Sequence, residues 1–249
     1  MEKLANKVAV ITGGNSGIGL AIAKQFRAEG ARIAIFGRDE KTLKVASEEL
    51  GSGTVVIQGD VTRLADLDRL YRETTERLGK IDILVANAGI ATFTPIDNTT
   101  ETQFDQISDI NFKGAFFTVQ KAVAHLNPGA SILLVTSAAN TLGRQSLSIY
   151  AATKAAVRSL ARSFSADLLP RGVRVNALSP GPILTPIFDR LGMPKEQLEE
   201  VAQTFVEQNP MKRFGTAEEM AQVALFLASP ASSYVAGAEL VADGGFSQL

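Results

Sequence analysis

Seven short apolar segments recur along this chain, and stretches long enough for a helix separate them. Several of the seven are apolar throughout, which is typical of strands buried on both faces of a sheet. An alternating order of strands and helices predicts a parallel sheet covered by helices on both sides. The predicted strands are Val8–Thr12, Arg32–Phe36, Thr54–Gln58, Ile81–Asn87, Ser131–Ser137, Val173–Ser179 and Ala238–Asp243.

The length of 249 residues corresponds to one large domain. No internal repeat, low-complexity segment or linker divides the chain, so we predict a single domain over residues 1–249. The most irregular region lies between Ser179 and Thr216 and contains five prolines. A long excursion of this kind in a compact domain is usually functional.

The composition excludes several classes of function. A formal net charge of -1, without a block of like charge, indicates neither a nucleic-acid partner nor a membrane surface. The absence of cysteine removes disulfides, thiol chemistry and cysteine-bound metals, and we expect no metal site. A Ser–His–Asp hydrolase would depend on His125 alone, and this residue lies near a predicted helix end, where a structural role is expected.

The chain also carries no membrane or export signal that we recognise. No apolar run approaches the length of a membrane span. The first residues enter an apolar strand almost at once and lack the layout of a secretory signal. We therefore expect a cytoplasmic protein.

A glycine-rich turn, Gly13–Gly19, follows the first predicted strand directly and precedes a helical pattern that ends in Gly30. Glycines at this position of an α/β sheet let the backbone approach a pyrophosphate, and the helix N-terminus offers free N–H groups. The spacing Gly13-x3-Gly17-x-Gly19 differs from G-x-G-x-x-G, but the strand–turn–helix context predicts nucleotide binding.

The end of the second predicted strand bears on the choice of cofactor. An acidic residue there holds the adenosine ribose of NAD, whereas an arginine accommodates the 2′-phosphate of NADP. The strand ends in Gly37 and Arg38, which favours NADP(H). Asp39 has the position of an N-cap for a helix beginning at Glu40. NAD(H), with Asp39 or a backbone group at the ribose, is the alternative.

Tyr150 and Lys154 lie four residues apart in IYAATKAA, and therefore on one face of a predicted helix. The unperturbed pKa of tyrosine is about 10, and a neighbouring ammonium group would lower it toward neutrality. Ser137, at the end of the fifth predicted strand, offers a hydroxyl donor for charge that develops on a substrate oxygen. The three residues predict proton delivery to a ketone that accepts a hydride.

Six motifs occur in one order along the predicted strands and helices. Their residues are Thr12, Gly13, Gly17, Ile18 and Gly19 in the first turn, Asn87, Ala88 and Gly89 after the fourth strand, Asn111, Ser137, Tyr150 with Lys154, and the Pro180–Gly181 turn. In this combination the chain resembles the short-chain dehydrogenase/reductases, over essentially its whole length from Lys7. Ala86 stands where the family has a first asparagine before Asn87. The resemblance implies an α/β fold with a Rossmann-type, doubly wound, seven-stranded parallel sheet in three layers.

The resemblance also implies roles for individual residues. Asn111, Ser137, Tyr150 and Lys154 would form a catalytic tetrad, in which Asn111 holds a water that links Lys154 to solvent. Lys154 would also bind the nicotinamide ribose. The cofactor-binding residues that we predict are Gly13, Asn15, Ser16, Gly17, Ile18, Gly19, Arg38, Asp60, Val61, Asn87, Ala88, Gly89, Tyr150, Lys154, Pro180, Gly181, Ile183 and Thr185.

Substrate and assembly are implied less directly. The segment 184–214 would be a substrate lid, and the family is commonly tetrameric, so we expect a homotetramer. Arg144 lies on the loop between Ser137 and Tyr150, where it can touch substrate, touch a partner subunit or be solvated. The apolar residues that would line either a substrate pocket or a subunit interface are Leu142, Leu147, Ile183, Ile187, Phe188 and Leu191.

The sequence therefore predicts an NADP(H)-dependent carbonyl reductase or alcohol dehydrogenase that acts on a small-molecule ketone or alcohol. A 3-oxoacyl-carrier-protein reductase needs a basic surface for its acidic partner, and the stretch HLNPGASI before the fifth strand has no lysine or arginine. A sugar (glucose) dehydrogenase of the same fold stays open. A non-catalytic dinucleotide-binding regulatory protein is disfavoured because all four tetrad positions are filled. Sugar-nucleotide epimerases share Y-x3-K but need a longer chain.

Overall fold

The computed structural model describes residues 2–186 and 195–249. Within these residues seven strands form one sheet in the order β3-β2-β1-β4-β5-β6-β7, and every neighbouring pair is parallel. The strands are β1 Val8–Thr12, β2 Arg32–Gly37, β3 Val55–Gln58, β4 Ile81–Ala86, β5 Leu126–Val135, β6 Arg174–Pro180 and β7 Glu239–Ala242. The predicted doubly wound parallel sheet is confirmed.

Helices connect the strands in the predicted alternation. Side-chain caps set several of their ends: Asp39 accepts from the Thr42 N–H at 2.7 Å, as predicted, and Thr216 forms a reciprocal capping box with Glu219. The helices are α1 Gly17–Ala28, α2 Glu40–Leu50, α3 Leu64–Leu78, α4 Glu101–Ser108, α5 Gly114–Ala122, α6 Ser148–Leu168, α7 Lys195–Gln208 and α8 Ala217–Ala228.

The sheet is buried on both faces, which explains why its strands are apolar throughout. On one face, strand residues such as Ile11 pack with Phe26 of α1 and with residues of α2 and α8. On the other face, residues such as Val10 pack with Leu67 of α3 and Val157 of α6. Successive strand residues therefore enter opposite cores, and the three-layer α/β/α single domain is confirmed.

The order of the strands reverses at β1, which pairs with β2 on one side and with β4 on the other. Connections leave in opposite directions from such a switch point and open a crevice outside the carboxyl ends of the strands. The Gly-rich turn after β1 and the Asn87 segment after β4 flank this crevice.

The fifth strand differs from its predicted range. It begins earlier than predicted, at Leu126, with a register irregularity against β4, and it ends at Val135. Ser137 therefore lies just beyond the strand, where its hydroxyl accepts from the Ala139 N–H at 3.2 Å and caps a short 3₁₀ turn. The predicted end at Ser137 was wrong by two residues because apolar content alone does not show where a strand gives way to a cap.

Two further expectations concern regions outside the crevice. His125 packs at the end of a 3₁₀ turn, with its Nδ1 2.9 Å from the Thr75 hydroxyl and its ring stacked on Tyr71, a structural environment as expected. Across residues 2–186 and 195–249, no helix is both long enough and apolar enough to cross a membrane.

Candidate active site

A cavity of about 350 Å³ lies at the carboxyl ends of the central strands. The glycine-rich turn and Arg38 line one end, and Ser137, Tyr150 and Lys154 line the other. All the predicted cofactor-binding residues except Gly19 face this cavity. The structure therefore brings together two groups of residues that are about a hundred positions apart in the chain.

The glycine-rich turn has the backbone that its glycines allow. Gly13 and Gly17 have φ values of 65° and 52°, in the left-handed region that disfavours other residues. A Cβ on Gly13 would lie 2.8 Å from Nδ2 of Asn87. A Cβ on Gly19 would lie 2.2 Å from the carbonyl oxygen of Gly13. Gly19 therefore serves close packing between helix and turn, while Gly13 and Gly17 shape a cradle that suits a pyrophosphate.

Thr12 and Asn87 connect the ends of β1 and β4. The Thr12 hydroxyl accepts from the backbone N–H groups of Asn87 and Ala88 at 3.1 and 3.2 Å. The Asn87 amide donates to the Thr12 carbonyl at 3.0 Å. These contacts hold the two walls of the crevice at a fixed separation, so Asn87 reaches the turn even though Ala86 replaces the family's first asparagine.

The Arg38 end of the cavity carries an ion pair. The Arg38 guanidinium lies 3.7 Å from the Asp60 carboxylate, and its side chain is 56% exposed. Asp60 also accepts from the backbone N–H and the hydroxyl of Thr62, at 2.9 Å each. Exposed ion pairs contribute little to stability, so Arg38 can exchange Asp60 for another anion at little cost.

The catalytic candidates lie at the start of α6 and the end of β5. Tyr150 and Lys154 share one face of α6, and the Lys154 nitrogen lies 5.8 Å from the centroid of the Tyr150 ring. That nitrogen is buried and donates to the Val135 carbonyl at 3.0 Å. The Ser137 hydroxyl lies close enough to Tyr150 to influence its protonation. Three of the four predicted tetrad residues therefore form one contiguous group that faces the cavity.

Burial dominates the protonation of this group. Desolvation raises the pKa of Tyr150, and the hydrogen bond from Ser137 acts in the opposite direction. Desolvation lowers the pKa of Lys154 to about 8. The expectation that the Tyr150 pKa lies nearer neutrality is wrong for the cavity in this structure, because burial raises that pKa.

Asn111 lies in a π-helical turn, Asp109–Lys113, between α4 and α5. Its amide donates to the Ile90 carbonyl and its Oδ1 accepts from the Ile90 N–H, both at 2.9 Å. A Cβ on Gly89 would lie 3.2 Å from Oδ1 of Asn111 and 3.4 Å from the Lys154 nitrogen. Asn111 thus holds the segment after β4 beside Lys154, although it does not line the cavity itself.

The substrate end of the cavity is apolar and partly aromatic. Leu142, Leu147 and Ile183 line it, as predicted, whereas Ile187, Phe188 and Leu191 fall outside the described residues. The aromatic residues Phe93, Phe205 and Phe246 also line the cavity and were missed. They come from three distant segments, and no local pattern marks them in the sequence.

Arg144 is not a solvated loop residue. Its guanidinium carbon lies 4.3 Å from the centroid of the Phe246 ring and 5.7 Å from that of Phe205. One guanidinium nitrogen donates to the Gln208 side-chain oxygen at 2.6 Å. Arg144 therefore connects the loop after Ser137 to α7 and to the C-terminal segment, at the wall of the cavity.

A polar network lies behind Ser137. Asn140 donates to Glu239 at 2.6 Å and to the Ser179 hydroxyl at 3.2 Å. Arg158 forms an ion pair with Glu239 at 3.4 Å. Since Arg158 lies one turn after Lys154 on α6, the network fixes the catalytic helix against the ends of β6 and β7.

Several known proteins are similar to this chain in sequence. A family model described as enoyl-(acyl carrier protein) reductase matches residues 13–247. Oxidoreductase asL5 of Sarocladium schorii is 44% identical over 252 residues, which cover 100% of this chain and 99% of that protein. The NADP-dependent (R)-specific alcohol dehydrogenase of Lentilactobacillus kefiri is 34% identical, with 98% of each chain covered.

Solved structures agree with the sequence comparisons. The crystal structure of a short-chain dehydrogenase/reductase described as glucose/ribitol dehydrogenase, from Brucella melitensis, superposes with a TM-score of 0.92 at 34% identity. The superposition covers 98% of both chains. The fold, the glycine-rich turn and the extent of these matches lead to one conclusion: the chain belongs to the short-chain dehydrogenase/reductase family and is an oxidoreductase of that family.

Proposed function

We propose that this oxidoreductase uses NADP(H) to interconvert a small-molecule ketone and its alcohol, with Tyr150 as the proton donor for reduction. The observation that carries the proposal is that Ser137, Tyr150 and Lys154 line the same cavity as the glycine-rich turn, with the Lys154 nitrogen 5.8 Å from the Tyr150 ring centroid. The NADP-dependent alcohol dehydrogenase among its relatives supports the same assignment.

The chain's own residues fit a nicotinamide dinucleotide. The cradle at Gly13 and Gly17 would hold the pyrophosphate at the start of α1, and Lys154 would hold the ribose next to the nicotinamide. When bound, the cofactor supplies the hydride. The remaining requirement is a proton at the substrate oxygen.

Proton delivery follows from the hydroxyl pair. Ser137 donates a hydrogen bond to the carbonyl oxygen and stabilises the charge that develops there. Tyr150 transfers its proton to the same oxygen and becomes a phenolate. The Lys154 ammonium, one helical turn away, stabilises that phenolate. Asn111 keeps the Ile90 segment in place beside Lys154, and a water held there would return a proton from solvent.

Arg38 supports NADP(H) as the cofactor. Its guanidinium lies at the tip of β2, where a 2′-phosphate would be met. A phosphate has more negative charge and more acceptor oxygens than the single Asp60 carboxylate, so we expect Arg38 to turn from Asp60 to the phosphate. Asp39 is occupied as the N-cap of α2, which reduces its availability for the ribose hydroxyl that NAD would present.

The walls at the substrate end favour a ketone with apolar or aromatic groups over a sugar. A sugar dehydrogenase needs several polar partners for hydroxyl groups, whereas Phe93, Phe205 and Phe246 present aromatic rings. Exposed apolar side chains elsewhere, including Ile96 and Phe104, support the homotetramer that we propose as its assembly.

The test is reduction of a panel of ketones, keto sugars and ketoacyl thioesters with NADPH, followed spectroscopically. Tyr150→Phe keeps the ring and removes the proton. We expect it to lower turnover by about 10²–10⁴-fold while NADPH still binds. Tyr234→Phe, on a fully exposed tyrosine, is the matched control and should retain turnover. Wild-type rates in Tyr150→Phe would contradict the mechanism.

A further inference from the structure

Arg144 places a guanidinium at the substrate end of the cavity, where the described residues accept from only one of its nitrogens. A guanidinium has five N–H donors in one plane. The structure shows one hydrogen bond, from Nη1 to the Gln208 oxygen at 2.6 Å. The guanidinium carbon lies over the Phe246 ring, 4.3 Å from its centroid.

The charges around the cavity are distributed unevenly. The charged residues of the described ranges that line it are Arg38, Asp39, Asp60, Arg144 and Lys154. Both carboxylates lie at the nucleotide end, where Asp60 pairs with Arg38 and Asp39 caps α2. Among the described residues that line the cavity, none supplies a carboxylate to the substrate end.

Within residues 2–186 and 195–249, no carboxylate forms an ion pair with Arg144 to offset its burial. Desolvation lowers the pKa of this guanidinium from its ordinary value. The rings of Phe205 and Phe246 attract a cation but carry no net negative charge. A guanidinium in this setting is stabilised when a planar oxyanion reaches its free edge, because two parallel N–H···O bonds can then form.

We propose that Arg144 determines substrate specificity, and that it selects ketones bearing a carboxylate on the side remote from the reacting carbonyl. The inference rests on the proposed function, since it takes the carbonyl to be the group that meets Ser137 and Tyr150. The carboxylate then lies at the other end of a flat, apolar body that contacts the aromatic wall. A neutral ketone of the same shape lacks the charge-assisted pair.

The test uses 4-acetylbenzoate and 4-acetylbenzamide, which have nearly the same shape and differ in charge. Their dissociation constants are measured by calorimetry with the NADP⁺-saturated protein, in which no turnover occurs. We expect the wild-type protein to bind the acid about tenfold more tightly than the amide. Arg144→Met should bring the ratio of the two constants close to one. Arg144→Lys, which keeps the charge without the planar fork, should give an intermediate ratio.

Gln208→Glu provides a second variant that leaves Arg144 in place. It puts a carboxylate at the atom that already accepts from the guanidinium, and so supplies the missing counter-charge. We expect it to abolish the preference for the acid as fully as Arg144→Met does. Arg72→Met, on an exposed arginine of α3, is the control for the loss of one positive charge and should keep the tenfold preference.

Three results would overturn the inference. They are equal affinities for the two ligands in the wild-type protein, absence of binding of the acid, and an Arg144→Met variant that weakens both ligands equally. The last would show that Arg144 only holds the loop against Phe246. Failure of the proposed function would be seen in a different measurement. In that case no ketone would support NADPH oxidation, whatever the ratio of the dissociation constants of 4-acetylbenzoate and 4-acetylbenzamide.

Discussion

The two ends of the cavity each present an arginine, but in opposite settings. Arg38, at the nucleotide end, is more than half exposed and pairs with Asp60. Arg144, at the substrate end, rests on Phe246 without a carboxylate among the described residues. An exposed pair can exchange its partner for a phosphate, whereas a half-buried cation on aromatic rings gains a partner only from a ligand. On the two proposals above, the same type of side chain would serve two kinds of anion recognition.

Lys154 lies between these ends and is the most buried of the three cations. Its nitrogen donates to the Val135 carbonyl, and burial lowers its pKa to about 8. A cation in that position destabilises the folded chain, and on the proposed mechanism it is kept for the reaction. The comparison therefore predicts that the cation with the largest catalytic effect is also the one whose loss stabilises the protein.

Lys154→Met should give the largest change. We expect turnover to fall by at least about 10²-fold, because the phenolate loses its stabilising charge. At pH 7 the free energy of unfolding of the cofactor-free protein should rise by about 1–3 kcal/mol, because an unpaired buried charge is removed. Chemical denaturation of both proteins at a series of pH values measures this gain.

The pH dependence of that gain has a definite sign. The folded pKa of Lys154 is about 8 and the ordinary value is 10.5, so the unfolded chain binds more protons between these values. The wild-type protein consequently gains stability from this group as the pH rises from about 8 to 10.5, and the advantage of Lys154→Met shrinks over the same window. A variant less stable than the wild type at pH 7 would show that Lys154 is a paired, stabilising cation.

Arg38→Ala should have a smaller and more selective effect. Loss of the guanidinium is expected to weaken NADPH binding by about tenfold and to leave NADH binding nearly unchanged, since only NADPH carries the 2′-phosphate. Fluorescence titration of the reduced cofactors measures both affinities. Lys41→Ala, which removes an exposed cation from α2, is the control. If Arg38→Ala kept the wild-type preference between the cofactors, Arg38 would no longer support NADP(H) as the cofactor.

The parts of the site that follow from the sequence are those fixed by short-range spacing. The cradle at Gly13 and Gly17 and the pair of Tyr150 and Lys154 each lie in one uninterrupted stretch, so one strand–turn–helix or one helical turn determines their geometry. The alternation of apolar runs and helical segments was sufficient to predict the parallel sheet, because strands buried on both faces are apolar throughout.

What could not be predicted depends on contacts between distant segments. Phe205 and Phe246 reach Arg144 from more than sixty residues away, and no spacing in the sequence connects either of them with Arg144. The direction of the Tyr150 pKa was also missed, because desolvation depends on the packed surroundings and not on the spacing to Lys154. Both failures concern the substrate end, where the chain is least regular.

Transfer of a labelled hydride tests the central claim most directly. NADPH carrying deuterium on the transferring face of its nicotinamide is incubated with the protein and a ketone that it reduces, and the alcohol is examined by mass spectrometry and NMR. The account predicts one deuterium on the carbinol carbon and a hydroxyl proton that comes from solvent. An alcohol without deuterium at that carbon would contradict direct hydride transfer in this cavity.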